Sequence, residues 1–335
     1  MKDVVTLAHG AGGKASRRLV EELFLEELRN PWLEPLGDAA LVSANGARLA
    51  LTTDAYVVRP LVFPGGDIGE LAVNGTVNDL AVSGATPVAL TAGFVIEEGF
   101  PLDELRALAR SAARAAAAAG VSVAAGDTKV VERGAADGLY LTTAGIGLLD
   151  PRAHLDAARA VPGDKVLVSG GIAEHGMAVM LARGNLALEL DVESDTAPVH
   201  ELAAALCALG DELRWMRDPT RGGLATTLNE LAGGARASIV LDQEAIPVRD
   251  DVRAACELLG IDPLYVANEG KLVAVVSAGA AEAALAALRA HPLGAAAAIV
   301  GEVRADDVPL VLERTPFGGS RIVDMLVGDP LPRIC

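Results

Sequence analysis

Four aspartates stand at turns or strand ends, where carboxylates can converge. They are Asp38 in Gly37-Asp38-Ala39-Ala40, Asp54 in Thr52-Thr53-Asp54, Asp79 in Asn78-Asp79-Leu80 and Asp127 in Gly126-Asp127-Thr128-Lys129. Mg²⁺ takes hard oxygen ligands and combines one or two carboxylates with phosphate oxygens and water, so converging aspartates suit ions on a triphosphate. Gly-Asp pairs also make plain turns. Gly163-Asp164, just ahead of a strand, reads as such a turn and serves as an internal control. Asp79 differs from the others, because Asn74-Gly75-Thr76-Val77-Asn78-Asp79 interrupts an apolar helical face with polar residues. Burying these groups without partners costs on the order of a few kcal/mol, so either a ligand or a polar network at a subunit contact is expected.

Three further segments and one residue carry chemistry. His9-Gly10-Ala11-Gly12-Gly13-Lys14 precedes a helix, where glycine amides and the helix dipole suit phosphate; a plain loop is the other reading, and the spacing is not that of a P-loop. Arg217-Asp218-Pro219-Thr220-Arg221-Gly222-Gly223 also leads into a helix. Thr220 is placed to cap it, while Arg221 with the amides of Gly222 and Gly223 is placed to face an anion. Asn268-Glu269-Gly270-Lys271 sits at the mouth of a strand, where Glu269 is either a general base in a cleft or half of a surface ion pair. The last residue is Cys335, behind Pro330 and Pro332. Those prolines favour an extended segment that holds the thiol away from the body, either as a carrier of a chemical group or as an incidental cysteine on a frayed end.

The elements that must position these residues alternate between helix and strand. Helices are predicted over 15–29, 68–83, 102–119, 173–183, 198–213, 221–233, 249–259 and 279–290. Strands are predicted over 48–53, 88–96, 121–125, 139–149, 165–169, 237–241, 271–277, 297–303 and 308–313. The rhythm is not that of a strict doubly wound sheet, so two α+β domains are expected. Asp150-Pro151 and Val161-Pro162-Gly163-Asp164 bracket the connection between them. The expected division is an N-terminal α/β domain at 1–150, a C-terminal α+β domain at 151–325 and a mobile tail at 326–335.

Composition narrows the function class. The 335 residues carry a formal charge of −17, which disfavours nucleic acid and anionic membrane as partners. Any polyanionic ligand must then be held locally by metal ions, backbone amides and a few basic residues. Hydrophobic residues make up 51% but aromatics only 3%, which suits close-packed α/β layers. No apolar run approaches the ~18 residues of a membrane span, and Met1-Lys2-Asp3 leads directly into a strand-like stretch, so a cytoplasmic protein is expected. Cys207, Cys256 and Cys335 show no paired spacing, which argues against zinc or a disulfide framework; the first two read as core thiols.

Taken together, the segments at 9–13, 73–80, 126–131, 217–223 and 268–271, closed by Pro332-Arg333-Ile334-Cys335, resemble the HypE-type hydrogenase-maturation proteins. That group lies in a superfamily with aminoimidazole ribonucleotide synthetase, selenophosphate synthetase and thiamine-monophosphate kinase. The resemblance spans nearly the whole chain, and its end is the most diagnostic part, because the superfamily kinases and synthetases lack that tail. Ala11 departs from the pattern, since relatives often carry serine there. The resemblance implies a two-domain aminoimidazole ribonucleotide synthetase-like architecture and a homodimer formed through the N-terminal domains. It also implies a reaction: a HypF-type carbamoyltransferase loads Cys335, ATP drives dehydration of the S-carboxamide to a thiocyanate, and cyanide passes to iron on a HypC–HypD complex. In that reaction Asp38, Asp54, Asp79, Asp127 and Asp218 would hold Mg²⁺, and His9, Gly10, Gly12, Gly13, Asn78, Thr128, Arg221, Gly222 and Gly223 would bind ATP. Lys129 would stabilise transferring charge, Glu269 would remove protons and Cys335 would carry the substrate. A superfamily kinase or ATP-dependent synthetase with an idle Cys335 is the alternative, and a group-carrying scaffold is a third. If order ends near Val327, the remaining residues span at most about 26–29 Å, ample for docking and release.

Overall fold

The computed structural model describes residues 4–184, 190–328 and 333–335. A helical segment opens the chain as α1 (Lys14–Leu19) and α2 (Leu25–Leu28), joined by a π turn. The first sheet then runs β1 (Ala40–Ala44), β2 (Ala47–Tyr56), β5 (Ala85–Glu97), β6 (Ser122–Val131) and β7 (Leu139–Leu149), in the spatial order β1-β2-β7-β5-β6. A short ribbon of β3 (Val62–Phe63) and β4 (Gly66–Asp67) precedes α3 (Ile68–Val82). Asp67 caps α3 by accepting from the amides of Gly69 and Glu70 at 2.8 and 3.1 Å, and the helix stops at Ser83 before Gly84, whose φ is +81°. The parallel pair β5 and β6 is joined through α4 (Leu102–Ala118), as a crossover connection requires.

The second sheet is larger. Its strands are β8 (Lys165–Val168), β9 (Leu213–Arg217), β10 (Ser238–Asp242), β11 (Val273–Val276), β12 (Ala298–Arg304), β13 (Val311–Arg314) and β14 (Ser320–Ile322), in the order β14-β13-β10-β12-β8-β11-β9. The helices are α5 (Glu174–Ala182), α6 (His200–Cys207), α7 (Gly223–Ala235), α8 (Asp250–Leu259) and α9 (Ala281–Arg289). One face of this sheet packs Val166, Val168, Val273 and Val275 against Leu224 and Leu228 of α7. The other packs Leu167 and Ala274 against Leu202 and Leu206 of α6 and Leu288 of α9. Such double coverage explains why β8 and β11 read as unbroken apolar runs.

The two halves meet over α3. Its Val73, Val77 and Leu80 pack with Ala50, Leu90, Ala115 and Ala116, which covers one face of the first sheet. A second cluster unites Tyr56, Phe63 and Leu71 with Met177, Val266 and Ile334, so the end of the chain belongs to a core shared by both sheets. The opposite face of the first sheet is bare, and Leu51, Ile146 and Leu148 are exposed on it.

Several predicted boundaries shift. The strand expected at 121–125 runs through to Val131, so Gly126 to Lys129 lies within β6 and makes no turn. The helix expected at 198–213 ends at Cys207, and β9 begins at Leu213. Strands β1 and β14 were not read from the sequence, being short and at sheet edges. The control turn holds its expected form: Asp164 accepts from the Val161 amide at 3.0 Å and pairs with Arg214 at 3.3 Å. Cys207 and Cys256 are buried, and burial pushes both thiols up to about 11.

Candidate active site

Period-two alternation along β2 turns Thr52, Asp54 and Tyr56 toward α3. The helix answers with Thr76 and Asp79, three residues apart on one face. Thr76 Oγ1 donates to Asp54 Oδ2 at 2.8 Å, and Thr52 Oγ1 lies 2.7 Å from Asp79 Oδ2 and 2.8 Å from the Asp38 carbonyl. Asp38 enters just ahead of β1, and Asp218 just after β9. One carboxylate oxygen each from Asp38, Asp79 and Asp218 falls within 4.8 Å of the others. Arg217 Nε binds Asp38 Oδ1 at 2.7 Å while its Nη1 binds Glu230 at 2.7 Å.

This cluster is short of positive charge. Burial raises the pKa of Asp38 even against the pull of Arg217. Burial, then Asp54 and Asp218, raises Asp79 well above its usual range, and burial with Asp38 does the same to Asp218. Asp54 is also raised by burial, with the Thr76 hydrogen bond opposing. Buried hard oxygens carrying this much uncompensated charge fit a divalent cation such as Mg²⁺.

Glu269 lies beside the cluster, 3% exposed, and its Oε1 has no hydrogen-bond partner among the described residues. Burial, then Asp218, Asp195 and Asp54, raises its pKa well above the ordinary carboxyl value. The nearby lysine does not pair with it. Lys271 binds Asp195 at 3.0 Å and Glu174 at 3.4 Å, and Asp195 in turn accepts from the Glu269 amide at 3.1 Å. Arg221 faces Glu269 and Cys335, and those negative charges raise its pKa despite burial, Cys335 foremost.

Cys335 is inside this cleft, contrary to the free extended end expected of the tail. It lines a cavity of about 190 Å³ together with Gly10, Ala11, Arg221, Gly222 and Leu326. Burial, then Glu269, pushes its thiol up to about 12, with Arg221 opposing. The reason for docking is visible in the sequence: Ile334 is apolar and 4% exposed, and Arg333 finds Asp137 at 2.5 Å. Pro330 and Pro332 lie outside the described residues.

The glycine loop reaches the same cavity. Arg221 Nη1 donates to the Gly10 carbonyl at 3.1 Å. Gly12 has φ +77°, and a Cβ there would meet the Arg221 carbonyl at 2.6 Å, so only glycine fits. Gly13 lies against the Leu326 backbone. His9 turns away, with Nδ1 bound to the Thr6 amide at 3.1 Å and to its hydroxyl at 2.9 Å. At the second loop the cap of α7 is Gly222, not Thr220, with φ +78° and no side-chain cap. The Gly223 amide donates to the Thr220 carbonyl at 2.9 Å, and its missing side chain makes room for the Leu264 and Val266 carbonyls.

Besides His9, four expected site residues stand apart in the single chain. Asn78 is fully engaged in structure: its Nδ2 donates to the carbonyls of Ala197 at 3.0 Å and Glu269 at 2.9 Å, and its Oδ1 accepts from the Val199 amide at 2.7 Å. It therefore ties α3 to the second half and holds the Glu269 backbone. Asp127, Thr128 and Lys129 lie on the edge strand β6, Asp127 75% and Lys129 73% exposed and 3.8 Å apart. The register Ala55–Thr142–Gly93–Asp127 sets Asp127 three strands from β2. That is about 14 Å from the Asp54 region, too far to share an ion. Sequence reasoning missed Tyr56, Thr52, Thr76 and Arg217 as site residues. Tyr56 followed from the 52-54-56 alternation; Arg217 had no local signal, since its partners come from distant segments.

Two such sheets, a carboxylate cluster between them and two glycine loops define a two-domain protein related to AIR synthase. Residues 36–149 match the AIR synthase related protein N-terminal domain and residues 161–311 match its C-terminal domain. A curated protein of Azotobacter vinelandii named carbamoyl dehydratase HypE is 53% identical over 331 residues, 99% of this chain and 97% of that protein. The crystal structure of a HypE–HypF complex aligns with a TM-score of 0.88 at 47% identity, covering 92% of this chain and 99% of that one. A crystal structure of hydrogenase maturation protein HypE in complex with ATP gives 0.83 at 45% identity, over 99% of this chain and 100% of that one. The chain belongs to the HypE family of carbamoyl dehydratases.

Proposed function

We propose that this chain uses ATP to dehydrate a carbamoyl group held on its own Cys335, as a step in making the cyanide ligands of [NiFe]-hydrogenase. The observation that carries the reading is the docked terminus: a thiol inside the carboxylate cleft, beside Glu269 and Arg221. A carboxamide oxygen is a poor leaving group. Attack of that oxygen on the γ-phosphorus releases ADP and turns the oxygen into part of a phosphate, which leaves readily. Two protons then come off nitrogen and the carbon–oxygen bond breaks, so S–C(=O)NH₂ becomes S–C≡N with the atoms of one water lost to phosphate. Glu269, buried and without a partner on Oε1, suits the proton acceptor. Arg221 suits the charge developing near the transferred group. Holding the substrate on the chain makes the encounter intramolecular.

Asp38, Asp79 and Asp218, with Asp54 beside them, are the residues suited to Mg²⁺. When bound, Mg²⁺ would screen the triphosphate and align its γ-phosphoryl group. Glycines 10, 12 and 13, with Arg221, Gly222 and Gly223, form the loops that suit phosphate. A homodimer is proposed through the bare face of the first sheet, where Leu51, Ile146 and Leu148 are exposed. Only with a second copy would the Asp127-Thr128-Lys129 edge meet a nucleotide site. Between turnovers the tail must undock, to receive its carbamoyl group from a HypF-type carbamoyltransferase and to deliver cyanide to iron on a HypC–HypD complex. Cytoplasmic assembly fits these partners, and among the described residues no helix is long and apolar enough to cross a membrane. Cys335→Ala is expected to keep fold and nucleotide binding while losing cyanation entirely. A thiocyanate adduct recovered on that variant would refute the carrier role.

A further inference from the structure

The docked tripeptide is held by residues that neither the nucleotide nor the carboxylate cluster uses. The chain past β2 supplies backbone: the Val57 amide donates to the Cys335 carbonyl at 3.3 Å, and the Arg59 amide to the Arg333 carbonyl at 3.2 Å. Between them the buried His175 Nε2 lies 3.0 Å from the Ile334 carbonyl. Its Nδ1 is 2.8 Å from Ser194 Oγ, and Phe63 meets the ring edge-on. Arg183 Nη2 reaches the Arg333 carbonyl at 2.8 Å. The Arg333 guanidinium then spans Val57 O at 3.1 Å and Asp137 at 2.5 Å.

Asp137 is shared. Arg59 also binds its Oδ2, at 2.9 Å. When Arg333 departs, Asp137 keeps a cationic partner, so the receptor is not left with an uncompensated charge. Such an arrangement allows a tail to be gripped through its own charge and still leave at modest cost. Every other contact to residues 333–335 named here goes to a main-chain carbonyl, so Arg333 is the side chain read by charge.

We propose that Asp137 and Arg333 form a reversible clasp that positions Cys335 in the cleft, with His175 as the fixed donor to the tail between them. The role deepens the carrier reading of Cys335 and rests on it, but its test needs neither ATP nor carbamoylation. The full-length protein is treated with iodoacetamide, and alkylation of each cysteine is followed by peptide mass mapping in wild type, Asp137→Ala, Arg333→Ala and the double variant. Docking leaves Cys335 half-buried on the cavity wall, so release of the tail should speed alkylation there. Loss of a charge-assisted hydrogen bond predicts a rate about tenfold higher or more at Cys335 in each single variant. The double variant should be no faster than Arg333→Ala alone, because both changes remove one interaction. Cys207 and Cys256, buried in the core, should stay unlabelled. An unchanged rate at Cys335, effects that multiply in the double variant, or a matching rise at Cys207 and Cys256 would each overturn the clasp. Failure of the carrier reading would show separately, as a docked and clasped Cys335 that never takes up a carbamoyl group.

Discussion

At the scale of single residues, Glu269 is the group whose surroundings say most about chemistry. A carboxyl with an unpartnered oxygen, no paired lysine and a pKa raised by burial and neighbouring aspartates is suited to taking up a proton. Glu269→Gln keeps the shape and removes the proton acceptor. Dehydration of the S-carboxamide should slow by about 10²–10⁴-fold while ATP binding is retained, measured as thiocyanate formed per unit time. Because the acceptor must be deprotonated, the wild-type rate should rise with pH through its ionisation and flatten above it. A rate for Glu269→Gln within twofold of wild type would remove this residue from the reaction.

At the scale of elements, the site is an assembly of strand ends around α3, and its electrostatics belong to the group. Asp38, Asp79 and Asp218 have folded pKa values raised above their unfolded values, chiefly by burial. Their contribution to stability is fully present below the unfolded carboxyl pKa and is lost as pH rises through the raised folded values. A divalent cation binds the deprotonated form and reverses that loss. The Tm gain on adding Mg²⁺ should therefore be larger at pH 8 than at pH 5, read by thermal melting at fixed ionic strength. Equal gains at both pH values would show that the ion is not held by these carboxylates.

Most of these elements were legible because their signals are local. The strands over 48–53 and 139–149 and the helix over 68–83 were read close to their observed bounds, and the glycine loops read as phosphate-facing do hold positive φ at Gly12, Gly222 and Gly223. What was not legible depended on distant partners. Asn78 read as a ligand because a polar residue in a buried helix demands a partner, yet that partner is the backbone at 197, 199 and 269. Lys271 read as the neighbour of Glu269, but Asp195 captures it. Asp127 and Lys129 read as cluster members because spacing does not report that β6 is an edge strand. The tail read as free because its prolines were visible and its receptor, built from residues 57, 59, 137, 175 and 183, was not.

At the scale of the whole molecule, the bare face of the first sheet and the exposed β6 edge belong together. A monomer rarely leaves a contiguous row such as Leu51, Ile146 and Leu148 in water. Registers Leu51–Ile146 and Leu49–Leu148 place these side chains on adjoining strands. Ile146→Glu should convert the proposed homodimer to monomer in sedimentation analysis, raising its dissociation constant by about 10²-fold or more if the apolar row is central to the contact. It should also lower ATP affinity if the second copy's β6 edge completes the site. A variant that remains dimeric would move the interface elsewhere.

The central claim is that Cys335 is itself the reactant. Intact-mass measurement of the full chain, incubated with a HypF-type carbamoyltransferase and carbamoyl phosphate and then given ATP and Mg²⁺, tests it most directly. If the sulfur is the reactant, a carbamoyl adduct maps to Cys335 and loses the mass of one water only after ATP is consumed. An adduct that forms on another residue, or one that never loses water while ATP is hydrolysed, would contradict it.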